Sequence, residues 1–329
     1  MKHNSSNLLF LLMLIMSLLL ILGSNNWLCI WVGLEINLIS FLPLLLSSES
    51  NLKSTSGMKY FLIQSLGSIF LLVSIFSYLF YINTTKVFQD ILMTLSMMIK
   101  LGSSPFHFWL PSIMENLGWL NCFIILTLQK LGPLLILSQL MYSGFYFYYI
   151  CMNLIVGALG SLNQSSLRKL LAYSSINHLG WILLGMTEGM NCWFIYFLVY
   201  TLTNLSLIMI LYSVNVFYLH QCFYSFMKPI QKINLSINFL SLGGMPPFIG
   251  FLPKWMILEE LFNTQYSFLL ILLIWSSLMS IFFYLRIAFS LLFMYSSFMK
   301  MNSSIYQDNK FVEVGLMHLI LIPLLTVMV

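Results

Sequence analysis

The chain has 329 residues, 60% of them hydrophobic and only 7% charged, with a formal net charge of +5 and a mean hydropathy of +0.93. A soluble globular domain carries about 25% charged residues, so this composition excludes a fully solvated surface and makes lipid the main solvent. Cys29, Cys122, Cys151, Cys192 and Cys222 fall in no metal-ligand or redox spacing, and no glycine-rich phosphate loop is present. A disulfide framework, a zinc or iron–sulfur site and a nucleotide site are therefore not expected.

The N-terminal stretch MKHNSSNLLFLLMLIMSLLL has a basic start and an apolar run. No small-residue cleavage site follows it and more apolar segments come after, so it reads as a retained first span. A membrane-crossing helix needs about 20 apolar residues. Polar clusters divide the chain into about eleven such segments, near 8–22, 27–46, 58–80, 91–110, 119–141, 146–162, 168–187, 191–218, 234–262, 266–292 and 313–328. Connections are short, the longest near 294–312. The expected fold is all-α, a polytopic membrane protein in a single membrane domain over 1–329.

An odd number of spans places the termini on opposite sides. With that count, Lys2, Lys53, Lys59, Arg168, Lys169, Lys228, Lys232, Lys300 and Lys310 share the N-terminal side, and Lys86 alone falls opposite. This asymmetry obeys the positive-inside rule. It predicts an N-terminus on the side of synthesis, and the net charge reports orientation rather than nucleic-acid binding.

Four basic residues escape the loops. Arg286 lies near a helix end and can snorkel. Lys100 and Lys130 lie roughly 14–17 Å from their predicted helix starts at about 1.5 Å per residue, which is mid-depth in a core of about 30 Å. Lys254 is also well inside its segment, and Glu35 shares the mid-depth level. Each charge at the bilayer centre costs roughly 2.5–3.5 kcal/mol. One glutamate cannot neutralise three lysines, which points to an ion or proton path rather than to one structural ion pair. His107 and His178 lie near the same track and can relay protons; the alternative for each is a histidine simply hydrogen-bonded in place. Glu115, Glu259 and Glu260 read as solvated helix ends.

Two segments repeat a pattern: LGSSPFHFWLPS from Leu101 and LGGMPPFIGFLPK from Leu242. Pro105 in the first, and Gly243, Gly244, Pro246 and Pro247 in the second, predict broken helices. Unwound backbone at membrane depth is tolerated only under protein cover or beside a wet cavity. Five helices separate the breaks, so the halves insert in opposite directions, as inverted repeats do. The first repeat is expected near 8–141, the second near 146–262, and C-terminal helices near 266–328.

The segments WVGLEINLISFLPLL, KLGSSPFHFWLPSIMENL, LQKLGPL, GALGSLNQSSLRKLLAYSSINHLGW and FLSLGGMPPFIGFLPKW closely resemble a known family. It comprises the antiporter-like, proton-translocating subunits of respiratory complex I (NADH:ubiquinone oxidoreductase), here in a form typical of animal mitochondria. The resemblance runs over essentially the whole chain and is least distinctive beyond about residue 293. It implies two inverted repeats with broken helices and eleven helices in the animal form. It further implies pairing of Glu35 with Lys100, continuation of a hydrophilic axis at Lys130, and Lys254 toward an exit half-channel. The implied setting is the mitochondrial inner membrane, with the N-terminus in the matrix and the C-terminus in the intermembrane space. Implied partners are the other complex I membrane subunits, two of them related antiporter-like chains, and membrane lipids. No cofactor is expected on this chain; NADH, flavin, iron–sulfur clusters and ubiquinone belong to other subunits. A monovalent cation/proton antiporter subunit and a structural membrane scaffold are the alternatives.

Overall fold

The computed structural model describes residues 5–46, 51–79, 86–140, 146–188, 190–224, 229–263 and 267–293. They are almost entirely helical: apart from an isolated antiparallel bridge between Ser166 and Tyr218, no β-pairing occurs among them. The chain divides into two compact units, Met1–Asn153 and Leu154–Val329.

The first unit holds α1 (Ser5–Gly23), α2 (Trp27–Leu46), α3 (Asn51–Leu79) and α4 (Lys86–Leu101). A 3₁₀ turn over Phe106–Phe108 leads into α5 (Trp109–Met114), followed by α6 (Trp119–Leu126), α7 (Leu128–Gln139) and the start of α8 (Tyr146–Ser161). Helix α2 packs between α1 and α3, and α4 packs between α3 and α7. The second unit holds the rest of α8, then α9 (Leu167–Glu188), α10 (Met190–Val214), α11 (Leu219–Tyr224), α12 (Pro229–Gly243), α13 (Phe251–Asn263) and α14 (Ser267–Phe293). There α10 packs on α9, α12 and α13, and α12 packs on α14.

The radial distribution of side chains is that of a protein dissolved in lipid. Apolar side chains such as Leu8, Leu12, Leu62, Ile69, Leu278 and Phe282 are exposed, while Ser17, Asn37, Ser74, Asn153, Asn204 and Asn238 are buried. Several of the buried serines are satisfied within their own helix. Ser17, Ser74 and Ser241 each donate to a carbonyl three residues back in their own helix, which satisfies the hydroxyl where no water competes. Small residues bring helices close: a Cβ at Gly33 of α2 would meet Ile21 of α1 at 2.7 Å, and one at Gly157 of α8 would meet the Asn177 backbone nitrogen of α9 at 2.5 Å.

Among the described residues, six stretches are long and apolar enough to cross a membrane: Ser5–Gly23, Trp27–Leu46, Lys53–Tyr78, Trp119–Gln139, Cys192–Val214 and Ser267–Leu292. The chain is thus a polytopic helical membrane protein. The segments expected at 91–110, 119–141 and 234–262 are each split into shorter elements, whereas the one expected at 191–218 is the single helix α10. The expected span at 313–328, and Lys2, Lys228, Lys300 and Lys310, lie outside the described residues.

Candidate functional site

The chemistry of the first unit begins where α4 stops. Gly102 has a left-handed φ of +68°. Its N–H donates to the Ile99 carbonyl (3.2 Å) and the Ser103 N–H donates to the Met98 carbonyl (3.1 Å). This is a Schellman stop, which closes the last carbonyls with two backbone bonds and requires a residue at ease with positive φ. The helix therefore ends at Gly102, three residues before Pro105, and the proline prevents resumption rather than causing the stop. Two side chains add to this closure. Gln64 Nε2 of α3 donates to the Lys100 carbonyl (3.1 Å), and Trp109 Nε1 of α5 donates to the Ile99 carbonyl (3.2 Å). Beyond the turn, Asn153 Oδ1 of α8 accepts from the Ser104 N–H (2.6 Å).

Lys100 occupies the last turn of α4 and is 5% exposed. Because α4 begins at Lys86 and not near 91, the lysine lies about 21 Å along its helix at about 1.5 Å per residue. Its stem lies over Gly67 of α3, where a Cβ would meet Lys100 Cγ at 3.0 Å. Glu35 is half-buried on α2 and acts electrostatically on both Lys100 and Tyr60. Its Oε1 is buried without a hydrogen-bond partner, so the lysine does not close onto that oxygen.

Lys130 is 2% exposed and stands beside a second discontinuity, which the apolar pattern of 119–141 concealed. Thr127, with φ −118° and ψ −80°, separates α6 from α7, and its hydroxyl donates to the Phe123 carbonyl at 2.7 Å. Lys130 lies in the first turn of α7, its N–H bonded to the Thr127 carbonyl (3.1 Å). Lys100 thus faces the negative end of one helix dipole and Lys130 the positive end of another. His107 is buried in the 3₁₀ turn, its ring 4.2 Å from that of Phe108.

The second unit repeats the stop. Gly244 has φ +80°. Its N–H donates to the Ser241 carbonyl (3.0 Å) and the Met245 N–H donates to the Leu240 carbonyl (3.3 Å). Gly243 is the last helical residue of α12 and Pro246 and Pro247 lie beyond the stop. Of the two adjacent glycines, only Gly244 carries the unusual conformation. Lys254 belongs to the first turn of α13, and its Nζ donates to the Gly243 carbonyl at 2.7 Å, so a lysine after the break caps the helix before it. The ammonium lies 5.6 Å from the Trp181 ring centroid, within range of a cation–π contact. A Cβ at Gly244 would meet Lys254 Nζ at 2.8 Å.

His178 Nδ1 and the Tyr196 hydroxyl are hydrogen-bonded at 2.8 Å, and the Tyr200 ring lies 5.0 Å away. His178, Tyr196, Tyr200, Thr203, Ser241 and Gly250 line a small cavity with room for about one water. Of the acidic residues expected at solvated helix ends, Glu260 differs: its Oε1 accepts from Cys192 Sγ (2.8 Å) and its Oε2 is buried. Among the described residues no group of three His, Cys, Asp or Glu side chains is placed to hold a metal.

The structure therefore sets Lys100, Lys130 and Lys254 each at a helix break, with Glu35 acting on Lys100 through space and not through a closed bond at Oε1. It also reveals polar partners that sequence reading passed over: Asn37, Tyr60, Gln64, Gln129 and Asn153. Their one signal was a carboxamide or hydroxyl inside an otherwise apolar helix.

Comparison with known proteins fits this geometry. The sequence model of the transmembrane family described as NADH:quinone oxidoreductase/Mrp antiporter matches residues 24–280. NADH-ubiquinone oxidoreductase chain 2 of Anopheles gambiae is 43% identical over 297 residues, covering 88% of this chain and 87% of that protein. Among solved structures, a chain of respiratory complex I from Thermus thermophilus with bound aureothin superposes with a TM-score of 0.84 at 21% identity, over 98% of this chain and 78% of that one. A chain of the Mrp complex from Dietzia sp. superposes at 0.77 with 16% identity, over 86% and 60% respectively. At these identities the two structures share the fold.

Proposed function

Because the chain belongs to the NADH:quinone oxidoreductase/Mrp antiporter transmembrane family, we propose that it is a proton-translocating core subunit of mitochondrial respiratory complex I, of the chain 2 type. The observation that carries this reading is the placement of three buried lysines at three helix breaks. Lys100 ends α4, Lys130 opens α7 and Lys254 opens α13. Broken ends bring helix termini and their dipoles into the interior, which lets a lysine hold a proton where an intact apolar helix would reject the charge. Glu35, Lys100, Lys130 and Lys254 are the proton-holding groups in this reading. His107 and His178 are relay members, and Pro105, Gly243, Gly244, Pro246 and Pro247 belong to the breaks that expose them. In each transfer one lysine Nζ–H bond breaks, the proton crosses an intervening water, and a neutral lysine amine accepts it.

The wider reading has eleven helices with two inverted repeats, in the mitochondrial inner membrane, among other complex I membrane subunits. The chain itself holds no cofactor; electrons pass from NADH to ubiquinone through flavin and iron–sulfur clusters in other subunits. A relative at 43% identity bearing the NADH-ubiquinone oxidoreductase name favours this over a monovalent cation/proton antiporter or a passive scaffold.

Lys130→Ala and Lys254→Ala are the direct tests. Removing a proton-transfer group typically lowers rates by about 10²–10⁴-fold, so assembled complex in inner-membrane vesicles should lose nearly all coupled proton uptake. Assembled variants that pump at wild-type rates would establish a scaffold instead. Orientation is tested separately, with epitope tags on both termini. Protease added to mitoplasts should remove the C-terminal tag and spare the N-terminal one; loss of both would refute the odd number of spans.

A further inference from the structure

Tyr60, Gln129 and Asn37 form a hydrogen-bonded chain that joins three helices around Lys100. The Tyr60 hydroxyl on α3 donates to Gln129 Oε1 on α7 (2.9 Å), and Gln129 Nε2 donates to Asn37 Oδ1 on α2 (2.8 Å). The carboxamide of Gln129 is thereby held in one orientation, oxygen toward α3 and nitrogen toward α2. Tyr60 is 1% exposed, and its ring is set edge-on between Phe41 (5.3 Å) and Trp109 (6.1 Å), so the hydroxyl has little freedom to swing away. Trp109 in turn bonds the end of α4.

All three side chains line one small cavity, together with Lys100 and Gln64. It has room for about one water, which requires two to four polar partners in such a site. The lining supplies them: the Tyr60 oxygen, the carboxamides of Asn37 and Gln129, and the Lys100 ammonium. Gln129 also directly precedes Lys130 in the first turn of α7.

We propose that Tyr60, Gln129 and Asn37 act as one positioning unit that orients the water receiving the Lys100 proton. This rests on the proton-translocating reading above. In the transfer, a Lys100 Nζ–H bond breaks and a water O–H bond forms. That water passes one of its protons onward, so the water is regenerated and the fixed carboxamides change neither charge nor bonding. None of the three positioning groups needs to titrate. Their role is to keep the water's lone pair facing the ammonium, which a freely rotating Gln129 would not do.

The test compares Tyr60→Phe, which removes one oxygen and keeps the ring packing, with Gln129→Met, which keeps length and removes both polar ends. Each is measured in inner-membrane vesicles normalised to assembled complex on native gels. Loss of one ordered hydrogen bond corresponds to about a fivefold rate change, so each variant should slow coupled turnover by about that factor or more. The solvent deuterium isotope effect on turnover should rise, because proton transfer becomes slower than the other steps. The double variant should be no slower than the slower single one. Wild-type turnover and isotope effect in both assembled variants would overturn the proposal, as would losses that multiply, or failure of both variants to assemble, which would mark the chain as structural. Lys100→Ala separates the two levels. If it leaves pumping intact, the proton-translocating reading itself falls. If it abolishes pumping while Tyr60→Phe and Gln129→Met do not, only the positioning unit is lost.

Discussion

Gly250→Ala is expected to remove most of the assembled complex from the membrane, while Gly243→Ala leaves its amount nearly unchanged. A Cβ at Gly250 would collide with the Ser241 carbonyl oxygen and lie 2.8 Å from the carbonyl carbon. Both are backbone atoms, so no rotamer change relieves the clash. Residue 250 sits just before α13 and Ser241 in the last turns of α12, so the two halves of the second broken helix would have to separate. That separation would pull Lys254 from the Gly243 carbonyl it caps. Overpacking a well-packed core costs about 1–3 kcal/mol, and an unmet buried carbonyl about 1–3 kcal/mol more. At Gly243 an added Cβ meets Tyr284 at 3.5 Å and Ile281 at 3.7 Å, which is ordinary contact. Equal amounts of both variants on native gels would refute the close approach at Gly250.

Lys100→Ala and Glu35→Gln are expected each to suppress coupled proton uptake strongly with assembly preserved, and the double change to do little more than the worse single change. Glu35 acts on Lys100 through space rather than through a closed bond at Oε1. If the two charges come within about 7 Å, an effective dielectric near 20 in Coulomb's law gives roughly 2.4 kcal/mol, about a fiftyfold bias in occupancy. A coupling of that size is strong enough to hold a proton on Lys100 and weak enough to be reversed in each cycle. A permanently closed ion pair would instead be structural, and breaking it would reduce assembly first. Uptake measured with a pH-sensitive dye decides the point: additive losses, or normal uptake in either assembled single variant, would show that the two residues do not act as one switch.

Much of this protein is legible from its residues in order. Lipid as the solvent follows from 7% charge, because nothing else can dissolve such a surface. The isolated charges Glu35, Lys100, Lys130 and Lys254 stand out for the same reason, since each costs free energy that an apolar side chain would not. The paired LG…P…LP segments mark where helices cannot continue, because proline lacks the donor and glycine admits positive φ.

Other features depend on residues far apart in the chain, and only the tertiary structure decides them. The helix stops belong to Gly102 and Gly244, with the prolines downstream, because a Schellman closure is read from dihedrals and 6→1 bonds and not from residue type alone. The break at Thr127 was invisible because hydropathy is blind to a single residue leaving helical dihedrals. Lys254 caps α12 across its own break, and Gly250 is required by a backbone 9 residues earlier. Tyr60 and Gln129 meet across 69 residues, and Gln129 and Asn37 across 92. Each of these polar groups is unremarkable where it stands in the sequence. Their partnership exists because, in an interior without bulk water, buried donors and acceptors must find one another, and helix packing alone determines which ones come within reach.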